Sequence, residues 1–343
     1  MKAHSSCLKA LLMAASLTLV TGAGKNPRLD VYVAGFERNA EWNRVATLWK
    51  NGSPQRLSDG ERNAYAYSVF VVGKEVYVAG GEKNAEGKCV VTLWKNGAPQ
   101  RLSDGKRNAY AYSVFVAGGD VYVAGYEDIE EGKGVATIWK NGAPQRLSGG
   151  ESAAMAACVF VVDGDVYAAG YEYIEEGKVV ATLWKNGAPQ RLGDGKSESW
   201  ARSVFVVGKD AYVAGVEKNA EGVCVATLWK NGAPQRLSDG KSEASAWSVH
   251  VAGEGVCVAG FEDNAEGNGV ATLWKNGAPQ RLSDGKSDAE ARSVLVVGED
   301  VYVAGYAGKD LSSLGYGNAV IWKNGFPNSL GDGSLEATSI FVK

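Results

Sequence analysis

One 45-residue unit recurs along this chain of 343 residues, and that recurrence constrains the possible folds more than any other feature. The tripeptide Trp-Lys-Asn followed by Gly begins at Trp49, Trp94, Trp139, Trp184, Trp229, Trp274 and, after a three-residue insertion, at Trp322. A Val-Tyr-Val-Ala-Gly element begins at Val31, Val76, Val121, Val166, Ala211, Val256 and Val301 without slippage. A Ser-Val-Phe-Val element opens at Ser68, Ser113, Cys158, Ser203, Ser248, Ser293 and Ser339. Units repeated at such a period cannot bury their apolar faces alone and must pack on their neighbours.

Each unit contains four short β-rich segments bounded by turn residues. Ser68 to Val72 and Val76 to Gly80 flank Gly73-Lys74, a Gly-X pair suited to a type II′ hairpin. Val90 to Lys95 and Pro99 to Leu102 flank Asn96-Gly97, the preferred type I′ pair. The first three segments are near-continuous apolar runs, as expected of strands covered on both faces. The fourth, Pro-Gln-Arg-Leu, is polar and opens with Pro, which suits an outer edge strand. The unit therefore reads as a four-stranded antiparallel blade, strands A to D from axis to rim, and the chain as an all-β, seven-bladed propeller over residues 29–343. The folded region enters on strand B near Leu29 and leaves on an orphan strand A, Ser339 to Val342. Completing the first blade with that strand closes the ring and removes sheet edges that would template aggregation.

These features resemble the tandem-repeat β-propellers, over roughly residues 29 to 343. The Gly-His and Trp-Asp signature of WD40 repeats is absent, as is the double glycine of kelch, and Ser58-Asp59-Gly60 lacks the spacing of an Asp-box. The resemblance implies an architecture and leaves the activity open.

Residues 1–23 read as a secretory signal peptide: Lys2 and Lys9 precede the apolar stretch Ala10 to Val20, and Thr21-Gly22-Ala23 offers a cleavage site. Residues 24–28 are then a short linker, and the protein is expected to be exported to the periplasm, cell surface or medium. The apolar stretch is short for a membrane span, so no stable membrane insertion is expected. Cys89, Cys158, Cys224 and Cys257 look like scattered substitutions on different strands, and four free thiols are expected. With His250 the one histidine beyond the leader, no metal set and no cofactor is expected. The chain has 36 basic against 39 acidic side chains and loses two lysines with its leader, so no electrostatic attraction to nucleic acid or anionic lipid is expected. A monomer is expected.

Seven copies allow each position to be compared within one chain. The Asn-Gly turn and its neighbouring Trp never change, and the Trp is assigned to inter-blade packing. Variation concentrates where strand D returns to strand A and where strand B passes to strand C, two connections that open on one face. The first variable column reads Tyr65, Tyr110, Met155, Trp200, Ser245, Glu290 and Glu336, and the second, two residues on, Tyr67, Tyr112, Ala157, Arg202, Trp247, Arg292 and Thr338. Between them stands an invariant Ala, from Ala66 to Ala337, so the variable neighbours should point together away from the blade stack. After strand B, one column reads Phe36, Gly81, Tyr126, Tyr171, Val216, Phe261 and Tyr306, and its partner Arg38, Lys83, Asp128, Tyr173, Lys218, Asp263 and Gly308.

Tyr, Trp and Arg are the residues that dominate binding hot spots and paratopes, and clustered on a surface they form a patch that calls for a partner. The expectation is a non-enzymatic scaffold presenting a variable face to an unknown protein or cell-surface partner, similar in its pattern of variation to diversifying propeller recognition arrays. The face filling the mouth of the central channel is the structural alternative. A multivalent lectin with one carbohydrate pocket per blade is the functional alternative, with Tyr126 or Tyr171 stacking on a sugar. No nucleophile, acid or base stands apart from its column to mark an enzyme. The recurring Glu37, Glu82, Glu127, Glu172, Glu217 and Glu262 are expected to accept backbone hydrogen bonds in their own loops, and Asp59, Asp104, Asp194, Asp239, Asp284 and Asp332 to form turns. The arginines of strand D, from Arg56 to Arg281, are expected to form an outer ladder.

Overall fold

Seven antiparallel sheets of four strands make up the protein, arranged as a ring of blades. The computed structural model describes residues 29–130, 132–174, 178–193, 195–308, 317–331 and 335–343. The expected signal peptide and linker, the body of the blade-seven insertion, Asp194 and Asp332 lie outside the described residues. Blade two is representative: β4 (Ala64–Val72), β5 (Glu75–Lys83), β6 (Cys89–Lys95) and β7 (Ala98–Arg101) follow in sequence order from axis to rim. Blade one consists of β1 (Val31–Arg38), β2 (Arg44–Lys50) and β3 (Ser53–Arg56), with the last strand of the chain, β28 (Leu335–Val342), on its inner side. The ring thus closes as the repeat phase requires, with Val33 opposite Ile340 and Val31 opposite Val342.

The turn residues adopt the conformations their chemistry suits. Asn96 and Gly97 have φ of 52° and 85°, a type I′ pair, and the same geometry recurs at the other six Asn-Gly turns. Asn96 also accepts a hydrogen bond on its Oδ1 from Val76 N at 2.8 Å, tying the outer hairpin to the start of the adjacent strand. The outer strands are exposed along their length, as their composition predicts.

Packing runs between blades. At the first interface Tyr32, Ala34, Ala46 and Leu48 meet Ala64, Ala66, Val69, Val71, Val78 and Trp94 of the next blade. The seven repeat tryptophans are at most 2% exposed and are the largest fully buried side chains. Truncating one leaves a cavity costing about 3–5 kcal/mol, which accounts for a column that never changes.

Two further columns, one constant and one changed in a single copy, organise the axis. The innermost strands would leave unpaired N–H groups along the channel, and the serine of the Ser-Val-Phe-Val element satisfies one in the neighbouring blade. Val114 N donates to Ser68 Oγ at 3.1 Å, Val294 N to Ser248 Oγ at 3.1 Å, Ile340 N to Ser293 Oγ at 3.2 Å and Val69 N to Ser339 Oγ at 3.2 Å. The last two bonds carry this hoop across the closure. Cys158 interrupts it: its Sγ faces Val204 O at 4.0 Å, where other blades have a serine accepting an N–H.

The glycine of each Val-Tyr-Val-Ala-Gly element faces a bulge at the head of the innermost strand. In blade two the pairing steps from Ala66 opposite Gly80 to Ser68 opposite Ala79, leaving Tyr67 unpaired. A Cβ on Gly80 would stand 1.9 Å from Tyr65 O, and one on Gly125 1.8 Å from Tyr110 O. Only a residue without a side chain permits that approach. Replacing Gly125 by Ala is expected to destabilise the protein by about 3 kcal/mol, read as a lower urea midpoint at unchanged m-value.

Candidate recognition face

The variable positions lie within strands rather than in the loops between them. β4 begins at Ala64 and β5 runs to Lys83, several residues beyond the cores Ser68–Val72 and Val76–Gly80. These ends escaped notice as strand because their side chains point to the mouth and need not be apolar; the alternation with invariant Ala66, fully buried, is itself the strand signal. Cross-strand pairing places the first column of strand A beside the first of strand B: Tyr65 opposite Gly81, Tyr110 opposite Tyr126, Met155 opposite Tyr171 and Glu290 opposite Tyr306. The second column of strand A is the bulged residue of each blade: Tyr67, Tyr112, Ala157, Arg202, Trp247, Arg292 and Thr338.

A fifth variable column completes the face and was not singled out from the sequence. At the head of strand C stand Arg44, Cys89, Gly134, Val179, Cys224 and Gly269, opposite Arg38, Lys83, Asp128, Tyr173, Lys218 and Asp263. The signal was available, since this column changes in size from Gly to Arg between copies. Its sizes answer those beside it: a Cβ on Gly134 would stand 2.7 Å from the Tyr126 ring, and one on Gly81 2.7 Å from Cys89 Sγ. Cys89 and Cys224 therefore share one column instead of being unrelated substitutions. All four cysteines of the described residues are free thiols. Burial raises the Cys89 thiol to about 12 and the Cys224 thiol to about 11, so neither is a thiolate at neutral pH.

The face divides into two chemical sectors. Across blades one to three Phe36, Tyr65, Tyr67, Tyr112, Tyr110 and Tyr126 form a continuous array of ring contacts, with Tyr65 and Tyr67 stacked at 5.6 Å and Tyr67 and Tyr112 tilted against each other at 5.4 Å across the blade boundary. Arg44 lies over Tyr65 and donates to its hydroxyl at 3.2 Å. Burial raises the pKa of the Tyr67 and Tyr112 phenols, which stay protonated. Across blades five to seven the Trp247 ring lies between the guanidinium carbons of Arg202, at 4.7 Å, and Arg292, at 4.3 Å. Arg292 pairs with Glu290 at 2.9 Å and approaches Glu336 at 3.9 Å, and Tyr306 donates to Glu290 at 2.9 Å. Burial pushes the Glu336 carboxyl up.

An openly exposed aromatic patch was the sequence expectation, and the structure shows a packed layer. Phe36 and Met155 are buried, at 4% and 8% exposure, and contribute support rather than contact area. Tyr65, Tyr67, Tyr110, Tyr112, Tyr126, Tyr171, Trp200, Arg202, Trp247, Phe261, Glu290, Arg292 and Arg38 are partly exposed. Tyr173 is exposed at 39% and Trp42, at the rim, at 61%. The bulge explains the difference, since it turns the second column toward the axis where seven blades converge. The columns thus fill the channel mouth and present its upper surface at once.

Beneath them the channel is lined by a second hoop of Phe70, Phe115, Phe160, Phe205, His250, Leu295 and Phe341. Successive ring centroids lie 4.5–5.0 Å apart, from Phe341 through Phe70 to His250.

On the opposite face a lysine–acid pair recurs in six of the seven blades, while the hairpin beside it changes from Lys74 to Gly119 to Glu254. Lys50 pairs with Asp30 at 2.8 Å, Asn51 Nδ2 donates to Asp30 Oδ1 at 2.8 Å and Lys50 lies over the Tyr32 ring. Similar lysine pairs recur at Glu75, Asp120, Asp165, Asp210 and Asp300. Two of the recurring glutamates bond outside their own loops: Glu37 accepts from Arg56 Nε of the outer strand at 2.6 Å, and Glu172 from Thr182 Oγ1 at 3.3 Å. Asp59, Asp104, Asp239 and Asp284 each accept the backbone N–H two residues on, as turn formers do. Among the described residues no group of three or more His, Cys, Asp or Glu is arranged to hold a metal ion, and no helix is long and apolar enough to cross a membrane.

No family model and no curated protein matches the chain. Among solved structures it is similar to a puromycin-hydrolysing peptidase from Mycobacterium tuberculosis, with a TM-score of 0.50 and 13% identity over 88% of this chain. The match spans 51% of that structure's length, and at this identity it shows the propeller fold alone.

Burial lowers the pKa of His250 to about 4, so the folded protein holds it neutral where the unfolded chain, near 6.5, takes up a proton. Stability tied to this residue is full above about pH 6.5 and is lost as pH falls toward 4. Between pH 7 and pH 5 the parent is expected to lose about 2 kcal/mol more than a His250→Phe variant, measured by urea unfolding at both pH values.

Proposed function

We propose that this protein is a non-enzymatic binding scaffold, exported to the cell surface or medium, whose changeable face recognises a protein partner. One observation carries the reading: the columns that differ most between copies belong to three strands of every blade, yet they all meet at one end of the ring. Their content favours contact. Tyr, Trp and Arg supply large rigid surfaces that lose little entropy on binding, and here they are further held by stacking on one another.

A second reading has its own support. Between blades two and three a cavity of about 250 Å³ is lined by Tyr77, Lys95, Gln100, Leu102, Trp139 and Asn141, all from columns that scarcely vary. Such a pocket would suit a lectin with equivalent sites, which gain strength on multivalent glycans.

The test compares the protein with a Tyr65→Ser, Tyr110→Ser, Tyr173→Ser, Trp200→Ser variant, which leaves the buried Phe36 and Met155 in place. Both are used to capture partners from surface extracts and are run on a glycan array, with thermal unfolding as a folding control. A partner protein held by the parent and at least about thirtyfold more weakly by a folded variant supports the recognition face. Sugar binding of equal strength by both would assign function to the constant columns instead.

A further inference from the structure

Arg202 is the unbalanced charge of the channel mouth. Three arginines border this region, and two are engaged: Arg44 with Tyr65, and Arg292 with Glu290 and Glu336. Among the described residues no carboxylate pairs with Arg202. Its guanidinium stacks on Trp247, whose other neighbour is the second cation, Arg292. Arg202 Nε and Trp247 Nε1 are both buried donors without a hydrogen-bond acceptor among the described residues. Burial, and with it the nearby Arg292, weakens the hold of Arg202 on its proton. Desolvating a charge and two donors without an acceptor is costly, and an anion entering from above would relieve all of these at once.

We infer that the mouth of the channel, at Arg202 and Trp247, is a binding site for a single carboxylate, supplied by an acidic side chain or chain terminus of the partner protein. The charge balance favours a monoanion: Arg44, Arg202 and Arg292 set against Glu290 and Glu336 leave one positive charge over. Arg202 Nε and Trp247 Nε1 are two N–H donors that a carboxylate, with its two oxygens, can satisfy, and guanidinium groups bind carboxylates well. The hoop of Phe115, Phe160 and Phe205 lines the channel below with apolar rings, so the group enters from the variable face. This rests on the proposed recognition face and names the chemistry at its centre.

The test follows the indole N–H signals of the full-length protein by ¹⁵N NMR, with the Trp247 signal assigned through Trp247→Phe. Three probes are titrated: acetate, inorganic phosphate, and the blocked peptide Gly-Glu-Gly beside Gly-Gln-Gly. Saturable movement of the Trp247 signal with acetate and the Glu peptide, roughly ten- to a hundredfold weaker in Arg202→Gln, is expected. Glu290→Gln, which frees Arg292, is expected to strengthen binding about threefold, an effect that mere structural support by Arg202 would not produce. The remaining indole signals serve as the folding control. No movement of the Trp247 signal, movement unaltered in Arg202→Gln, or a preference for phosphate over acetate overturns the inference. Carboxylate binding without capture of any partner protein would leave the site standing and count against the recognition reading alone.

Discussion

A glycine with no room for a side chain sets the geometry on which the rest of the molecule depends. At the end of each Val-Tyr-Val-Ala-Gly element the carbonyl of the facing strand approaches so closely that a Cβ would overlap it, as at Gly35, Gly80 and Gly125. That approach accommodates an extra residue in the innermost strand. The bulge turns the extra side chain toward the axis, beside the residue two positions before it. Tyr65 with Tyr67 and Tyr110 with Tyr112 become stacked pairs as a result. A backbone constraint repeated without change thus aims side chains that change in nearly every copy.

The same separation runs through the energetics. What holds blade to blade is constant: buried tryptophans, small alanines that let sheets approach, and a hoop of serines capping strand N–H groups across each boundary. What varies sits above these layers and packs mainly on itself. The hoop tolerates Cys158 in one position, and the aromatic lining of the channel tolerates His250 and Leu295. Redundancy explains that tolerance, because each blade contacts only its neighbours and one weak boundary is shared around a closed ring.

Blade number, strand order and closure were legible from the sequence because the repeat states them seven times, and the turn pairs Asn96-Gly97 and Gly73-Lys74 name their own conformations. The outer strand read correctly from Pro99 and its polar neighbours. Less legible were the strand ends. Tyr65 and Lys83 lie outside the apolar runs, and only the alternation about Ala66 marks this end of β4 as strand, while the bulge at Tyr67 is visible only once Gly80 is seen facing it. The Ser68 column looked like part of an apolar strand, since its role depends on the N–H of Val114 in another blade. Cys89 and Cys224 looked unrelated until pairing set them in one column, where Cys89 takes up the space beside Gly81.

The central claim is that the constant blades are interchangeable and that the order of residues around the mouth carries recognition. Moving all five variable columns one blade around the ring keeps every neighbouring contact on the face, whereas shuffling the same residues among blades keeps composition and destroys their order. Partner affinity and melting temperature of these two variants should be measured beside the parent. The account predicts that the rotated protein binds and melts like the parent and that the shuffled one, still folded, does not bind. Loss of binding on rotation, or binding that survives the shuffle, would contradict it.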